Sequence, residues 1–375
     1  MKIIVATDSY KGTIGASEAT EIIADAISAA LPTSKVIKMP IADGGEGSTD
    51  CFVDALGGGY VVTTVKNCFF EDTQVKIGIV DAGETAVIEV AAAAGLGFAE
   101  GRKNPLLTTT YGVGQMIALA ANMGVKRVLL CLGGSATNDL GCGAAAALGV
   151  AFLDKDGEPM LPLGGMLDEV CSIDTNGIPD SVRALEIICL CDVDGTLTGE
   201  NGAARMFAPQ KGASPEAVEL LEANAVYMQD IILRDTGVDV SDIAGGGAAG
   251  GFGAGAVAFF GAEIRSGIDE VLNTVGFKNA LDGCDAVITG EGRVDEQSAT
   301  GKAISGVIKA AGEKDVPVIV IGGSVKQGCD VSNAALFSTV TDFCSFDEVK
   351  DSAKENLRRT AKSIASLLKI GSKTV

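Results

Sequence analysis

The chain has 375 residues, 49 Asp and Glu against 29 Lys and Arg, a net charge of −20 and no histidine. That charge is a poor match to nucleic acid or an anionic membrane surface. Without imidazole, Ser-His-Asp hydrolysis, Cys-His proteolysis, HExxH zinc chemistry and phosphohistidine relays are excluded, so acid–base work falls to Asp, Glu, Lys, Cys or Tyr.

A hydrophobic fraction of 47% allows a large core, and with 5% aromatics and no Trp the interior is filled by Ala, Val, Ile and Gly. Small aliphatic interiors suit parallel α/β sheets under close-packed helices. Single cores stop growing near ~250–300 residues, so two domains are expected. The ten cysteines include no CxxC pair. Reduced, buried thiols are expected rather than disulfides or a thiolate zinc site. Asp8 follows the first strand too early for a signal peptide, so a cytoplasmic location is expected.

The first strand spans residues 3–6, and an amphipathic helix starts near Ser17, a suitable N-cap. Between them lies Asp8-Ser9-Tyr10-Lys11-Gly12. Lys11 and Ser9 could meet a carboxylate or phosphate, although an ordinary βα turn has the same composition. After a second strand at 36–39 comes Pro40-Ile41-Ala42-Asp43-Gly44-Gly45-Glu46-Gly47. Three glycines interleaved with two acids cost chain entropy, which favours a functional loop over a plain connection. Strands at 61–65, 73–80 and 86–90 lack long helices between them. A different domain with antiparallel or mixed pairing therefore begins near residue 60.

A strand at 127–132 leads into Gly133-Gly134-Ser135-Ala136-Thr137-Asn138-Asp139 and an Ala-rich helix. This loop could cradle phosphate through backbone N–H groups, or it could be a tight turn packed by small residues. The apolar strand 185–190 ends in Cys191-Asp192-Val193-Asp194-Gly195-Thr196. This run looks like the nucleophile loop of haloacid-dehalogenase-type phosphatases, with Asp192 as nucleophile and Asp194 as acid/base. That loop usually opens its domain, whereas here it lies mid-chain without a convincing lysine loop or paired-acid loop downstream.

Residues 243–262 carry no charge over a membrane-span length, but eight are glycine, so a buried glycine-rich loop entering a helix is expected. Within it, residues 245–250 match GxGxxG without the preceding strand that a dinucleotide fingerprint requires. Close helix packing or a backbone approach to a ligand is the better reading. A strand at 286–289 precedes Thr289-Gly290-Glu291-Gly292-Arg293-Val294-Asp295. Arg293 offers a bidentate fork for a carboxylate or phosphate, with Glu291 and Asp295 able to orient it or act as base; a surface ion pair would look similar. A strand at 316–321 follows. Val349, Ala353, Leu357, Ala361, Ile364 and Leu368 repeat at helical spacing, so a helix closes the chain.

Taken together, these loops resemble the type I glycerate kinase family. The resemblance runs nearly the whole length, through residues 8–12, 40–47, 132–139, 191–193, Pro209-Gln210-Lys211-Gly212-Ala213, 247–251 and 289–295. After Asp192-Val193 the family usually has a Thr-Asn-Pro-Leu-like run. This chain has Asp194-Gly195-Thr196-Leu197, which leaves the role of 194–197 in question and accounts for the phosphatase-like match.

The resemblance implies ATP-dependent phosphorylation of D-glycerate with Mg²⁺, at the 2-hydroxyl. It also implies a two-domain α/β fold with the site in a cleft between the domains. The expected division is a Rossmann/flavodoxin-like parallel-sheet domain from 1–62 plus 285–375 and an inserted mixed α/β domain at 63–284. Lys11 and Arg293 would hold the glycerate carboxylate, with Ser9, Glu46 and Glu291 also binding substrate. Asp192 would bind Mg²⁺ or accept the hydroxyl proton, with Asp43 and Asp295 as competing catalytic carboxylates. Gly133, Gly134, Ser135 and Lys211 would neighbour the nucleotide. A homodimer is left open. A non-catalytic sugar-acid sensor is the other class of reading, but a sensor for an anion has no use for several acids in its site.

Overall fold

The computed structural model describes all residues except Glu46, 296–302, Ser332, 341–345 and 372–375, and the side chains of 346–349. It comprises two compact α/β units, Met1–Asp43 with Ile268–Val375, and Gly44–Gly267. Both crossings fall earlier along the chain than the expected 62/63 and 284/285. Strand Gly58–Lys66 pairs along its whole length with Asp72–Val80, so a boundary at 62 would cut a hairpin.

The first unit holds a five-stranded parallel sheet in the order Ala334–Ser338, Val318–Val325, Ala286–Val294, Lys2–Val5, Lys35–Lys38. Helix Ala16–Ala30 connects the first two strands in sequence. Its apolar stripe, Ile22, Ile23 and Ile27, packs with Leu357, Ala361 and Ile364 of the closing helix Phe346–Gly371. The helix start differs from expectation: Gly15 occupies the N-cap position without a side-chain cap, and Ser17 lies within the first turn.

Strand Ala286–Val294 also outruns its expected end. Its pairing with Val318–Val325 continues to Val294 opposite Val325, which turns an expected loop into strand. Gly290 and Gly292 permit this. A Cβ at Gly290 would stand 2.6 Å from the Tyr10 hydroxyl, and one at Gly292 would stand 3.0 Å from Lys11 N.

The second unit holds a six-stranded mixed sheet in the order Glu263–Arg265, Glu186–Leu190, Arg127–Cys131, Thr85–Glu89, Asp72–Val80, Gly58–Lys66. The first four strands are parallel, and the last two add antiparallel. The expected mixed pairing of this region is thus present. A small antiparallel sheet, Pro159–Met160, Ala151–Leu153 and Ser172–Asp174, stands apart. The core is aliphatic and Ala-rich, and the nine described cysteines are free thiols. Among the described residues no helix is long and apolar enough to cross a membrane. The uncharged stretch leads into helix Ala248–Phe260, whose residues 249–251 have positive φ.

Candidate active site

In the first unit, strand Lys2–Val5 delivers Asp8 beside strand Ala286–Val294, with Asp8 N donating to Gly290 O at 2.9 Å. Asp8 is 2% exposed. Burial, then the neighbouring Asp43 carboxylate, pushes its pKa up to about 8. Lys11 Nζ lies 3.7 Å from Asp43 Oδ2, and Asp43 holds the Lys11 ammonium above its usual pKa. Tyr10 is buried, donates to Ile321 O at 2.9 Å and is held protonated by burial and by Glu291 and Asp8.

Alternation along the strand puts Thr289, Glu291 and Arg293 on one face. Glu291 is buried, whereas the Arg293 side chain is exposed, with Nε 3.8 Å from Asp295 Oδ2. Ser9 is half-buried, and its N–H donates to Asp8 Oδ1 at 2.6 Å. Asp8, Lys11, Asp43 and Glu291 thus form one electrostatic cluster. Glu46 lies outside the described residues.

The second unit brings three separated motifs together. Gly133 N donates to Gly44 O at 3.4 Å. A Cβ at Gly133 would stand 2.6 Å from Gly45 Cα, and one at Gly44 would stand 3.2 Å from the Leu190 Cβ. Only glycine backbones allow these loops to meet. Leu190 ends the strand that carries Asp192, a half-buried residue whose Oδ1 accepts from Ser266 Oγ at 2.8 Å. Asp194 is exposed.

Glu89, at the end of strand Thr85–Glu89, fixes the Gly44–Gly47 connection by accepting from Gly47 N at 3.1 Å and Thr49 N at 2.9 Å. These are the orphan donors at the start of helix Ser48–Leu56. Burial nonetheless raises the Glu89 pKa.

Around residues 133–139, Gly134 has φ +77° and is exposed, Gly133 is half-buried and Ser135 is buried. Lys211 is wholly buried, and its Nζ donates to Ser135 Oγ at 2.9 Å and Thr137 O at 2.7 Å. Burial lowers its pKa to about 7. Lys211 therefore joins the loop, although seventy-odd residues separate them in sequence. Asp139 is structural. It accepts from Thr110 N and Oγ1 and from Gly141 N and Gly143 N.

The chain around the 194–197 departure is tied into structural hydrogen bonds. Glu222 Oε1 accepts from Gly199 N at 2.6 Å, Gln229 Nε2 donates to Thr198 Oγ1 and Gly247 N donates to Gly195 O. Glu222 and Gln229 lie on helix Pro215–Thr236. The glycine-rich run serves the close packing anticipated for it, since a Cβ at Gly247 would collide with Thr196 O.

Asp8 and Glu89 are not among the candidate site residues expected from the sequence. For Asp8 the available signal was an acid directly after an apolar strand, within two residues of a lysine. Burial, which makes it unusual, has no local signature.

The glycerate kinase family model matches residues 3–369. The glycerate kinase of Bacillus subtilis (strain 168) is 40% identical over 378 residues, covering 99% of this chain and 98% of that protein. The glycerate 2-kinase of Escherichia coli (strain K12) is 38% identical, with 99% of each chain covered. A crystal structure from Salmonella typhimurium LT2, of a chain proposed to be glycerate kinase 2, superposes with a TM-score of 0.86 at 39% identity, covering 100% of this chain and 99% of that one. With the family model matched over nearly every residue, the chain belongs to the glycerate kinase family.

Proposed function

We propose that this enzyme transfers the γ-phosphoryl group of ATP to the 2-hydroxyl of D-glycerate, giving 2-phosphoglycerate and ADP. The observation that carries the reading is the meeting of the Gly44–Gly45 and Gly133 backbones beside Leu190, the end of the strand that leads into Asp192. Such a site lets phosphate oxygens approach the backbone closely and holds one oriented carboxylate nearby. Phosphoryl transfer needs mainly positioning and charge stabilisation, so the absence of histidine is no obstacle. The 2-hydroxyl is favoured by similarity to the Escherichia coli glycerate 2-kinase.

The hydroxyl oxygen forms a bond to Pγ as the bond to the ADP oxygen breaks, and the hydroxyl proton passes to a carboxylate. Asp192 is the first choice, with Asp43 and Asp295 as alternatives. Lys11, kept charged by Asp43, and Arg293 supply positive charge for the glycerate carboxylate, with Ser9, Glu46 and Glu291 as further substrate contacts. Gly133, Gly134, Ser135 and Lys211 neighbour the nucleotide.

Among the described residues no three His, Cys, Asp or Glu side chains gather closely enough to hold a metal. This donor set fits a Mg²⁺ that arrives on phosphates and takes one or two carboxylates. Asp192 is the residue for it. Bound there, Mg²⁺ would neutralise developing charge on the phosphate oxygens.

The test is ADP release that requires Mg²⁺ and D-glycerate together, with NMR of the product to place the phosphate. Phosphate release from phosphoglycerate without ADP would instead support the phosphatase chemistry of Asp192 and Asp194. Arg293→Lys is expected to raise KM for D-glycerate by about tenfold. A point charge cannot reproduce two parallel hydrogen bonds, and at 69% side-chain exposure screening keeps the loss at the low end for charged contacts. An unchanged KM removes Arg293 from the site.

A further inference from the structure

The loop 133–139 contains an imbalance that folding alone does not explain. Asn138 is 0% exposed, and neither its Nδ2 nor its Oδ1 has a hydrogen-bond partner among the described residues. Thr137, also 0% exposed, has an unpartnered Oγ1. Buried amides and hydroxyls without partners are costly and uncommon. Adjoining them is the Lys211 ammonium, buried and bonded only to neutral oxygens, Ser135 Oγ and Thr137 O. Among the described residues the carboxylate that influences Lys211 is Asp139, whose oxygens already accept four N–H and O–H groups. Lys103, on the neighbouring segment, donates from its Nζ to Gln210 O at 3.1 Å and adds a second positive charge to this region. The segment therefore holds a buried cation lacking an ion-pair partner next to one amide and one hydroxyl lacking any partner.

The cover over this segment is strained. Ala249, Gly250 and Gly251 follow one another at φ 52°, 72° and 86°. Gly250 O accepts from Leu140 N at 3.1 Å, and a Cβ at Gly250 would stand 2.7 Å from Asn138 Cα. On another side, a Cβ at Gly164 would stand 2.9 Å from Asn138 O. Consecutive left-handed residues, one of them not glycine, are stored strain of the kind found at ligand sites. Glycines of two segments thus approach the Asn138 backbone closely.

We propose that Asn138 and Thr137, together with Lys211, form a buried receptor for a ligand oxyanion, with the Asn138 amide a ligand contact rather than a structural group. This rests on the kinase reading for the identity of the ligand. Either a nucleotide phosphoryl group or the glycerate carboxylate has the required chemistry. An oxyanion supplies the missing counter-charge to Lys211 and acceptors for the Asn138 Nδ2 and Thr137 hydroxyl donors. The lowered Lys211 pKa, about 7, is the expected condition of such a cation before its anion arrives.

The test is Asn138→Leu, a near-isosteric apolar replacement. A group retained for binding at the expense of stability should stabilise the free protein when removed. The expected result is a rise in Tm of about 2 °C, with the thermal shift given by one ligand lost and its KM raised about tenfold or more. ADP with Mg²⁺, D-glycerate and inorganic phosphate are each added alone, and the shift that disappears identifies the source of the oxyanion. Thr137→Val should act in the same direction on the same ligand, and it decides the matter if Asn138→Leu does not fold. A fall in Tm in both variants would show that a resident water or a structural bond satisfies these groups, and a rise with every ligand shift intact would show that they are idle; either overturns the proposal. A wild-type protein that shifts with ADP or phosphate but does not phosphorylate glycerate would overturn the kinase reading alone.

Discussion

Asp192→Asn is expected to lower kcat by about 10²–10⁴-fold, the usual worth of a positioned proton acceptor, while leaving the fold intact. Asn keeps the shape of the side chain and can still accept the 2.8 Å hydrogen bond from Ser266 Oγ. What it loses is charge and basicity. The two roles open to Asp192 separate by titration: loss of a metal ligand is partly recovered at high Mg²⁺, and loss of a base is not. The comparison variants are Asp43→Asn, at the carboxylate 3.7 Å from Lys11, and Asp295→Asn, at the one 3.8 Å from Arg293. Near-normal turnover in Asp192→Asn with collapse in either of these would move the catalytic role to the first unit. Asp194→Asn should be nearly silent, because Asp194 is exposed and its neighbours Gly195, Thr198 and Gly199 are tied into structural hydrogen bonds. Loss of activity there would revive the phosphatase alternative.

The parts of this site legible in the sequence are those written locally. Strand cores announce themselves by β-branched runs, and loops that end in glycine and acid announce a departure from simple packing. The mixed pairing at one side of the second unit's sheet followed from the absence of long helices between the strands expected at 61–65, 73–80 and 86–90. Long-range approach was not legible. That Gly133 must be glycine because Gly45 Cα would stand 2.6 Å from its Cβ depends on residues nearly ninety positions apart. The continuation of strand Ala286–Val294 through Gly290 and Gly292 depended on Tyr10 packing against those glycines. Asn138 stands in a loop whose sequence suits either a phosphate cradle or a tight turn of small residues. Its buried amide, without a partner among the described residues, emerges only from the packing.

The steepest effect on stability is expected from Asp8, as a function of pH. Burial and Asp43 raise its pKa from 3.8 to about 8, so the folded chain holds a proton that the unfolded chain releases between those values. Stability then falls as pH rises across that window, and the full penalty is present above pH 8. Lys211 acts with the opposite sign. Its lowered pKa makes stability rise with pH from about 7 toward the usual lysine range. The two are separated by a difference curve. Asp8→Asn is neutral at every pH and can accept the Ser9 N–H bond, so it abolishes the Asp8 contribution and leaves that of Lys211. The variant should match wild type near pH 4 and exceed it near pH 8.5, by an amount on the order of 2–4 kcal/mol for a strongly buried carboxyl. Thermal unfolding of both proteins across that range is the measurement. Parallel Tm curves would mean that Asp8 ionises without cost in the fold, for example because Lys11 stays close enough to neutralise it. The carboxylate cluster of the first unit would then be a balanced ion network rather than a site held short of positive charge.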